Sequence, residues 1–163
     1  MLTSLGEKLL NSKLNYIKST PINMIQFGDS FNVDKINKNI ILLKNYDELS
    51  KNQKKSEAFF SNFDLNIYLA NEEKFIKYIY NSLNHNGLLC FNLITNNSFI
   101  TLKKIFYEID ENIFQGSYRR FGPFHDIQNI VEKLNINNFK ETVVSTENLE
   151  LNYSSLKKNE KRI

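Results

Sequence analysis

The sequence predicts an α/β fold, a mostly parallel sheet with helices on both faces, and three features carry that prediction. Residues 62–95 read as strand, helix, strand. The second of those strands is apolar at nearly every position, which implies cover on both faces. Short apolar runs alternate with helical patterns along most of the chain, as in a sheet wound with crossover helices.

The strand–helix–strand unit is built as follows. Phe63 to Leu69 is short, apolar and bounded by polar residues, as a buried strand should be. Asn71 is placed to cap the following helix, with Glu72 and Glu73 in its first turn, where acidic groups suit the positive end of the helix dipole. Phe75, Ile76, Ile79, Tyr80 and Leu83 recur at helical spacing. Asn86-Gly87 stops the helix, with Gly87 able to take positive φ. Leu88 to Ile94 then forms a second, parallel strand reached by a right-handed crossover.

Before this unit, Leu9, Leu10, Leu14 and Ile17 share one face of a helix over residues 7–18, which Pro21 ends. Ile22 to Phe27 is a candidate first strand, and Gly28-Asp29-Ser30 the turn after it. In a doubly wound sheet that turn is where a nucleotide-like ligand meets the backbone. A cofactor cradle there normally uses several glycines, and this turn supplies Gly28. Asn39 to Leu43 is a second strand, and Asp47 to Phe60, polar early and apolar late, reads as a helix. After the unit, Phe99, Leu102, Ile105, Phe106, Ile109 and Ile113 repeat at three and four, predicting a helix over 98–113. A loop broken by glycine and proline follows at 115–123, carrying Arg119 and Arg120 between Tyr118 and Phe121. Asp126 caps a last helix with Ile127, Ile130, Val131 and Leu134 on its face. Residues 140–145 and 148–153, the latter alternating Leu149, Leu151 and Tyr153 with polar partners, are expected to close the sheet as an antiparallel pair.

At 163 residues the chain fits a single domain, divided here into 1–60, 61–153 and a tail at 154–163. No apolar run approaches the roughly 18 residues of a membrane span, and the start lacks a basic segment followed by an apolar one. A cytoplasmic location is the expectation. Cys90 falls inside a predicted strand and reads as a small buried hydrophobe. With one Cys and two His, no metal site is expected. The net charge of +3 argues weakly for nucleic acid, because the chain is crowded with Asn, Lys and Ile and holds two alanines. That bias fits an AT-rich coding sequence, and the lysines are scattered or lie in solvated runs at 51–55 and 157–162.

Phe63-Asp-Leu, the helix after it and Ser82-Leu-Asn-His-Asn-Gly-Leu-Leu resemble the fourth strand, helix and fifth strand of class I S-adenosylmethionine-dependent methyltransferases. Phe121-Gly-Pro-Phe-His-Asp-Ile through Phe139, then Val143 through Tyr153, is similar to the C-terminal part of a narrower group. That group comprises the malonyl-carrier-protein methyltransferases of biotin synthesis and, closer still, a relative that assists respiratory complex I assembly. The resemblance covers roughly residues 62–153 and implies a Rossmann-like methyltransferase fold, shortened here by about one βα unit. The N-terminal third departs from it. Gln26 stands where the family has an acidic residue, only Gly28 fits the glycine pattern, and Leu43-Lys44-Asn45 ends the second strand without the acidic residue that grips the ribose.

Two functional readings follow from the resemblance. One is a degenerate member acting as a binding or assembly-accessory protein, with a protein partner or a homodimer formed through sheet surface left open by the missing unit. The other is a working methyltransferase on a small acidic or carrier-protein-bound acceptor. In that case Gly28, Asp29, Ser30 and Asp47 would hold S-adenosylmethionine, and Tyr118, Arg119, Arg120 and His125 would hold the acceptor, arginine being suited to an acidic group. No catalytic residue is singled out, since methyl transfer needs alignment more than acid–base chemistry.

Overall fold

Four strands lie parallel in the order β2-β1-β3-β4, in a computed structural model that describes residues 2–14, 23–29, 39–71 and 74–150. The elements are α1 (Leu2–Leu14), β1 (Met24–Phe27), β2 (Ile40–Leu43), α2 (Tyr46–Lys51), β3 (Ser56–Asn62), α3 (Leu65–Asn71), α4 (Phe75–Asn81), β4 (Leu83–Asn92), α5 (Ile100–Phe114) and α6 (Ile127–Ile136). The α/β fold with a parallel sheet is as the sequence predicts.

Alternation along the strands divides the core into two layers. Ile25, Phe27 and Phe59 point to the side covered by α2, α3, α4 and α6, where Leu49, Leu65, Phe75, Ile79 and Leu134 complete the larger cluster. Met24, Ala58 and Phe60 point to the other side, where Leu10 of α1 covers them. The larger layer is aromatic at its centre: Phe75 sits 5.4 Å from Phe27 and 5.1 Å from Tyr68, ring centre to ring centre.

Several boundaries differ from expectation. The strand expected at Phe63–Leu69 is instead Ser56–Asn62, inside the segment read as a helix, and residues 65–71 form α3. Ser56, Ser61 and Asn62 are polar yet fully buried, so the strand does not show as an apolar run. Leu65 and Leu69, four apart, bury one face of a short helix. Asn71 therefore ends α3 and does not cap α4, whose N-cap is Lys74 with no side-chain hydrogen bond; Glu72 and Glu73 lie outside the described residues. Asn86 takes the left-handed conformation, φ 61°, in place of Gly87. It sits within β4, where the register shifts between the pairs Ser56–Leu83 and Ala58–Leu88. Cys90 lies on β4, which pairs with β3 and ends the strand order, and it is half-buried. Residues 140–150 carry no strand, so the described part of the expected antiparallel pair is not formed; Val143 is 92% exposed. Of the first helix, Leu2–Leu14 is described and starts earlier than expected, while Ile17 and Pro21 lie outside the described residues.

Polar side chains tie the layers together at the C-terminal end of the sheet. Asn92 donates to the Gly6 carbonyl (2.9 Å) and to Asn62 Oδ1 (3.1 Å). A Cβ on Gly6 would stand 2.0 Å from Asn62 Oδ1 and 2.5 Å from the Phe63 ring, so α1 can approach this closely only with glycine there. Among the described residues, no helix is long and apolar enough to cross a membrane.

Candidate functional site

In a doubly wound sheet, ligands bind beyond the strand C-termini where the winding reverses. Here β1 pairs with β2 on one side and β3 on the other. At the C-terminal ends of these strands stand Gly28 and Asp29 after β1 and Phe63 and Asp64 after β3. Gly28 adopts φ 85°, a conformation that costs a residue with a Cβ about 1–2 kcal/mol. Its amide donates to the Leu43 carbonyl at 2.9 Å, and its own carbonyl accepts from Gln26 Nε2 at 3.2 Å. Gln26, standing where the resembled family has an acid, thus ties the turn together.

Phe63, also left-handed at φ 69°, turns the chain at the end of β3 so that Asp64 comes over Gly28. A Cβ on Gly28 would lie 2.2 Å from both Cγ and Oδ2 of Asp64. The Asp64 side chain therefore lies directly against the face of Gly28 that a Cβ would occupy. Asp29 is exposed. Ser30 lies outside the described residues. Asp47 is exposed in the first turn of α2, with its backbone carbonyl accepting from Ser50 Oγ at 2.9 Å. The cap of α2 is Asn45, whose Oδ1 accepts from the Glu48 amide at 3.0 Å while Glu48 Oε2 accepts from the Lys44 amide at 2.8 Å. Asp64, in a segment whose apolar pattern predicts a strand, carries no local signal of this contact.

A concave region lies between α5 and the segment 117–121. It is a cleft of about 430 Å³ whose polar lining includes Lys103, Lys104, Tyr118, Arg119 and Arg120. Its foundation is Asp110, a carboxylate 1% exposed on a helix whose other residues are exposed or half-buried. Asp110 accepts a bidentate pair from Arg120 Nε and Nη2 and a further bond from the Tyr118 amide at 3.3 Å. The hydrogen bonds from Arg120 hold the Asp110 carboxyl below its ordinary range, against the opposing effect of burial; the Tyr118 amide adds to the lowering. The same pairing raises Arg120. The Arg120 guanidinium also lies 5.3 Å from the centre of the Phe106 ring.

The structure thus brings Tyr118, Arg119 and Arg120 together as one lining, with Lys103, Lys104 and Tyr107 added from α5. His125 is not part of it. It is half-buried, and its Nε2 lies 2.7 Å from the Asn66 carbonyl oxygen. Its own carbonyl accepts from the Asn96 amide at 3.1 Å, holding 121–125 against the chain beyond β4. Asn66 completes this junction, donating to the carbonyls of Ile94 (2.9 Å) and Pro123 (3.3 Å). Lys103 and Lys104 follow the helical pattern but were not set beside the arginines, because nothing local in the sequence folds the loop back on α5. Among the described residues, no cluster of His, Cys, Asp and Glu could hold a metal ion.

No family model matches the chain, and no curated protein matches it in sequence. Solved structures of phosphoethanolamine N-methyltransferase 2 from Haemonchus contortus are similar in chain path. One, in complex with phosphomonomethylethanolamine and S-adenosylhomocysteine, superposes with a TM-score of 0.45 and 18% identity over 76% of this chain. Another, in complex with S-adenosyl-L-methionine, gives 0.44 and 19% over the same share. The chain spans 30% of the length of each.

Proposed function

We propose that this chain is a methyltransferase-like protein that acts as a binding or assembly-accessory protein rather than as a methyl-transfer catalyst, with the cytoplasm as its place of work. The observation that carries the reading is Asp64 over Gly28. The turn has a single glycine, and the approach to it is filled by a carboxyl group that a Cβ on Gly28 would meet at 2.2 Å. The residues present do not fit S-adenosylmethionine in the way the resembled family holds it: the acid is Gln26, and the acidic residue nearest the end of β2, Asp47, lies in the first turn of α2. A good hydrogen bond to a charged group is worth about 1.5–3 kcal/mol, or roughly ten- to a hundredfold in affinity. Losing two such grips and the glycine-lined approach removes the affinity on which alignment of donor and acceptor depends.

A protein partner, a second copy included, is supported by α5. Its Leu102, Ile105, Ile109 and Ile113 form a stripe along one face that is open to solvent. Exposed apolar stripes of this kind mark interaction surfaces. Light scattering on a sizing column should therefore show association that rises with concentration, and a monomer throughout would count against the second copy.

The competing reading is a working S-adenosylmethionine-dependent methyltransferase on a small acidic or carrier-protein-bound acceptor. What favours it is the positive φ of Gly28 at the C-terminal end of β1, the backbone form of a cofactor turn, and the arginine-bearing cleft beside α5. Thermal unfolding with S-adenosylmethionine or S-adenosylhomocysteine separates the two. Ligand at about 100 times its Kd stabilises a fold by about 2.7 kcal/mol, several degrees in Tm. The binding-protein reading expects no shift at millimolar ligand. A saturable shift that Gly28→Val abolishes would make the enzyme the better reading.

A further inference from the structure

We propose that the cleft between α5 and residues 117–121 binds a small organic anion, a carboxylate or phosphate monoester carried on a flat apolar body. This inference stands apart from methyl-donor binding and would hold for either functional reading above.

The cleft is built rather than incidental. The buried Asp110 carboxylate takes Arg120 side-on and the Tyr118 amide end-on, so the loop is anchored to the helix by charge-assisted bonds. The anchoring fixes both Tyr118 and the backbone that carries Arg119. Phe121 stacks against Phe99 with ring centres 6.1 Å apart, closing the far end of the loop.

The charges are divided between engaged and available ones. Lys103 is engaged, since its Nζ donates to the Asn96 carbonyl at 2.8 Å and sits 4.7 Å from the centre of the Phe124 ring. Arg120 is committed to Asp110, which neutralises it. Lys104 and Arg119 also line the cleft, and neither forms an ion pair among the described residues. These two cations come from opposite walls, one on the helix and one on the loop. Tyr107 and Tyr118 add flat apolar surface with hydroxyl groups at the edge. A volume of about 430 Å³ lies within the range of small-molecule sites. An anionic head between Lys104 and Arg119, with a flat body against the tyrosines, uses both cations that lack an ion pair and both tyrosine rings, while Glu108, four residues beyond Lys104, is the carboxylate on the lining that opposes it. A neutral ligand would leave the cations idle, and a bare inorganic ion would leave the rings idle.

The test titrates phenyl phosphate, benzoate and inorganic phosphate into the full chain, followed by backbone amide NMR shifts. Phenyl phosphate or benzoate should produce saturable shifts concentrated at 103–107 and 117–121. Whichever binds tighter assigns the head group, and equal binding assigns both. Inorganic phosphate should bind at least several-fold more weakly, and added salt should weaken all three. Lys104→Ala and Arg119→Gln should each weaken the organic anions about tenfold, while Lys140→Gln, away from the cleft, should leave them unchanged. Lys104→Ala places a strong helix former at an exposed helical position, so it retains the fold should Arg119→Gln disturb the loop. No saturable shift, shifts unaltered by Lys104→Ala, or inorganic phosphate binding as tightly as phenyl phosphate would each overturn the proposal.

Discussion

Helices α4 and α5 have the same kind of sequence and opposite fates. Both repeat large apolar residues at three and four. In α4, Phe75, Ile76 and Ile79 are at most 4% exposed, because β1 and β3 present Phe27 and Phe59 to them. In α5, Leu102, Ile105 and Ile109 are each more than 40% exposed, and the helix is held along one edge of that face, by Phe106 and Asp110 against the 117–121 loop. Periodicity specifies which face of a helix is apolar. It does not supply the surface that covers it. Burial in this chain is concentrated where parallel strands offer an apolar layer, which α6 also joins through Ile130 and Leu134, whereas α5 and the 117–121 loop are held by the Asp110 anchor and a small cluster of Phe99, Phe106, Phe121 and Phe124.

Substitutions can break or sharpen that contrast. The largest effect is expected inside the first region: Phe75→Ala removes a ring that packs against Phe27, Tyr68 and Tyr46, and should cost about 3–5 kcal/mol in urea unfolding. Gly28→Val comes next. It adds left-handed strain to a collision with the Asp64 carboxyl and should cost roughly 2 kcal/mol or more. Asp64→Gly should recover part of that loss, read as the interaction energy of a double-mutant cycle. Asn45→Ala, which removes the cap of α2, should cost about 1 kcal/mol. Ile105→Ala on the open stripe should change stability by less than about 0.5 kcal/mol in the monomer. A cost matching that of Phe75→Ala would mean that the stripe is covered in solution, and the contrast between the helices would fail.

The second region should also differ in its response to pH. Folding lowers the Asp110 carboxyl from its ordinary value of 3.8. A group of this kind contributes its stabilisation above the unfolded value and loses it as the pH falls through the lower, folded one. Amide exchange at 117–120 should therefore speed up below about pH 3.8, and Asp110→Asn should produce the same release at neutral pH. Protection that stays unchanged in Asp110→Asn would show that the loop is held by something other than this pair.

These differences also explain what the sequence makes legible. The α/β class, β1, β2, α4 and α6 with its Asp126 cap follow from local patterns, and each has a local cause: Asp126 Oδ1 accepts from the Gln128 and Asn129 amides directly after it. β3 was displaced because its buried positions include Ser56, Ser61 and Asn62, while Leu65 to Leu69 is too short a run to separate strand from helix by spacing. At the sites, the pairing of Tyr118, Arg119 and Arg120 is contiguous in sequence and was legible. Asp64 over Gly28 joins residues 36 apart across two strands, and Asn66 reaches 57 residues to Pro123. Contacts of that length come from strand order and register, which composition and periodicity do not encode.

We propose above that the Asp64 carboxyl closes the Gly28 turn to a methyl donor. Calorimetric titration of S-adenosylhomocysteine into the wild-type chain and into Asp64→Ala tests it most directly. The wild-type chain should give no saturable heat at millimolar ligand. Saturable, stoichiometric binding to the wild type that Asp64→Ala weakens would contradict it, and would make Asp64 a ligand-binding residue.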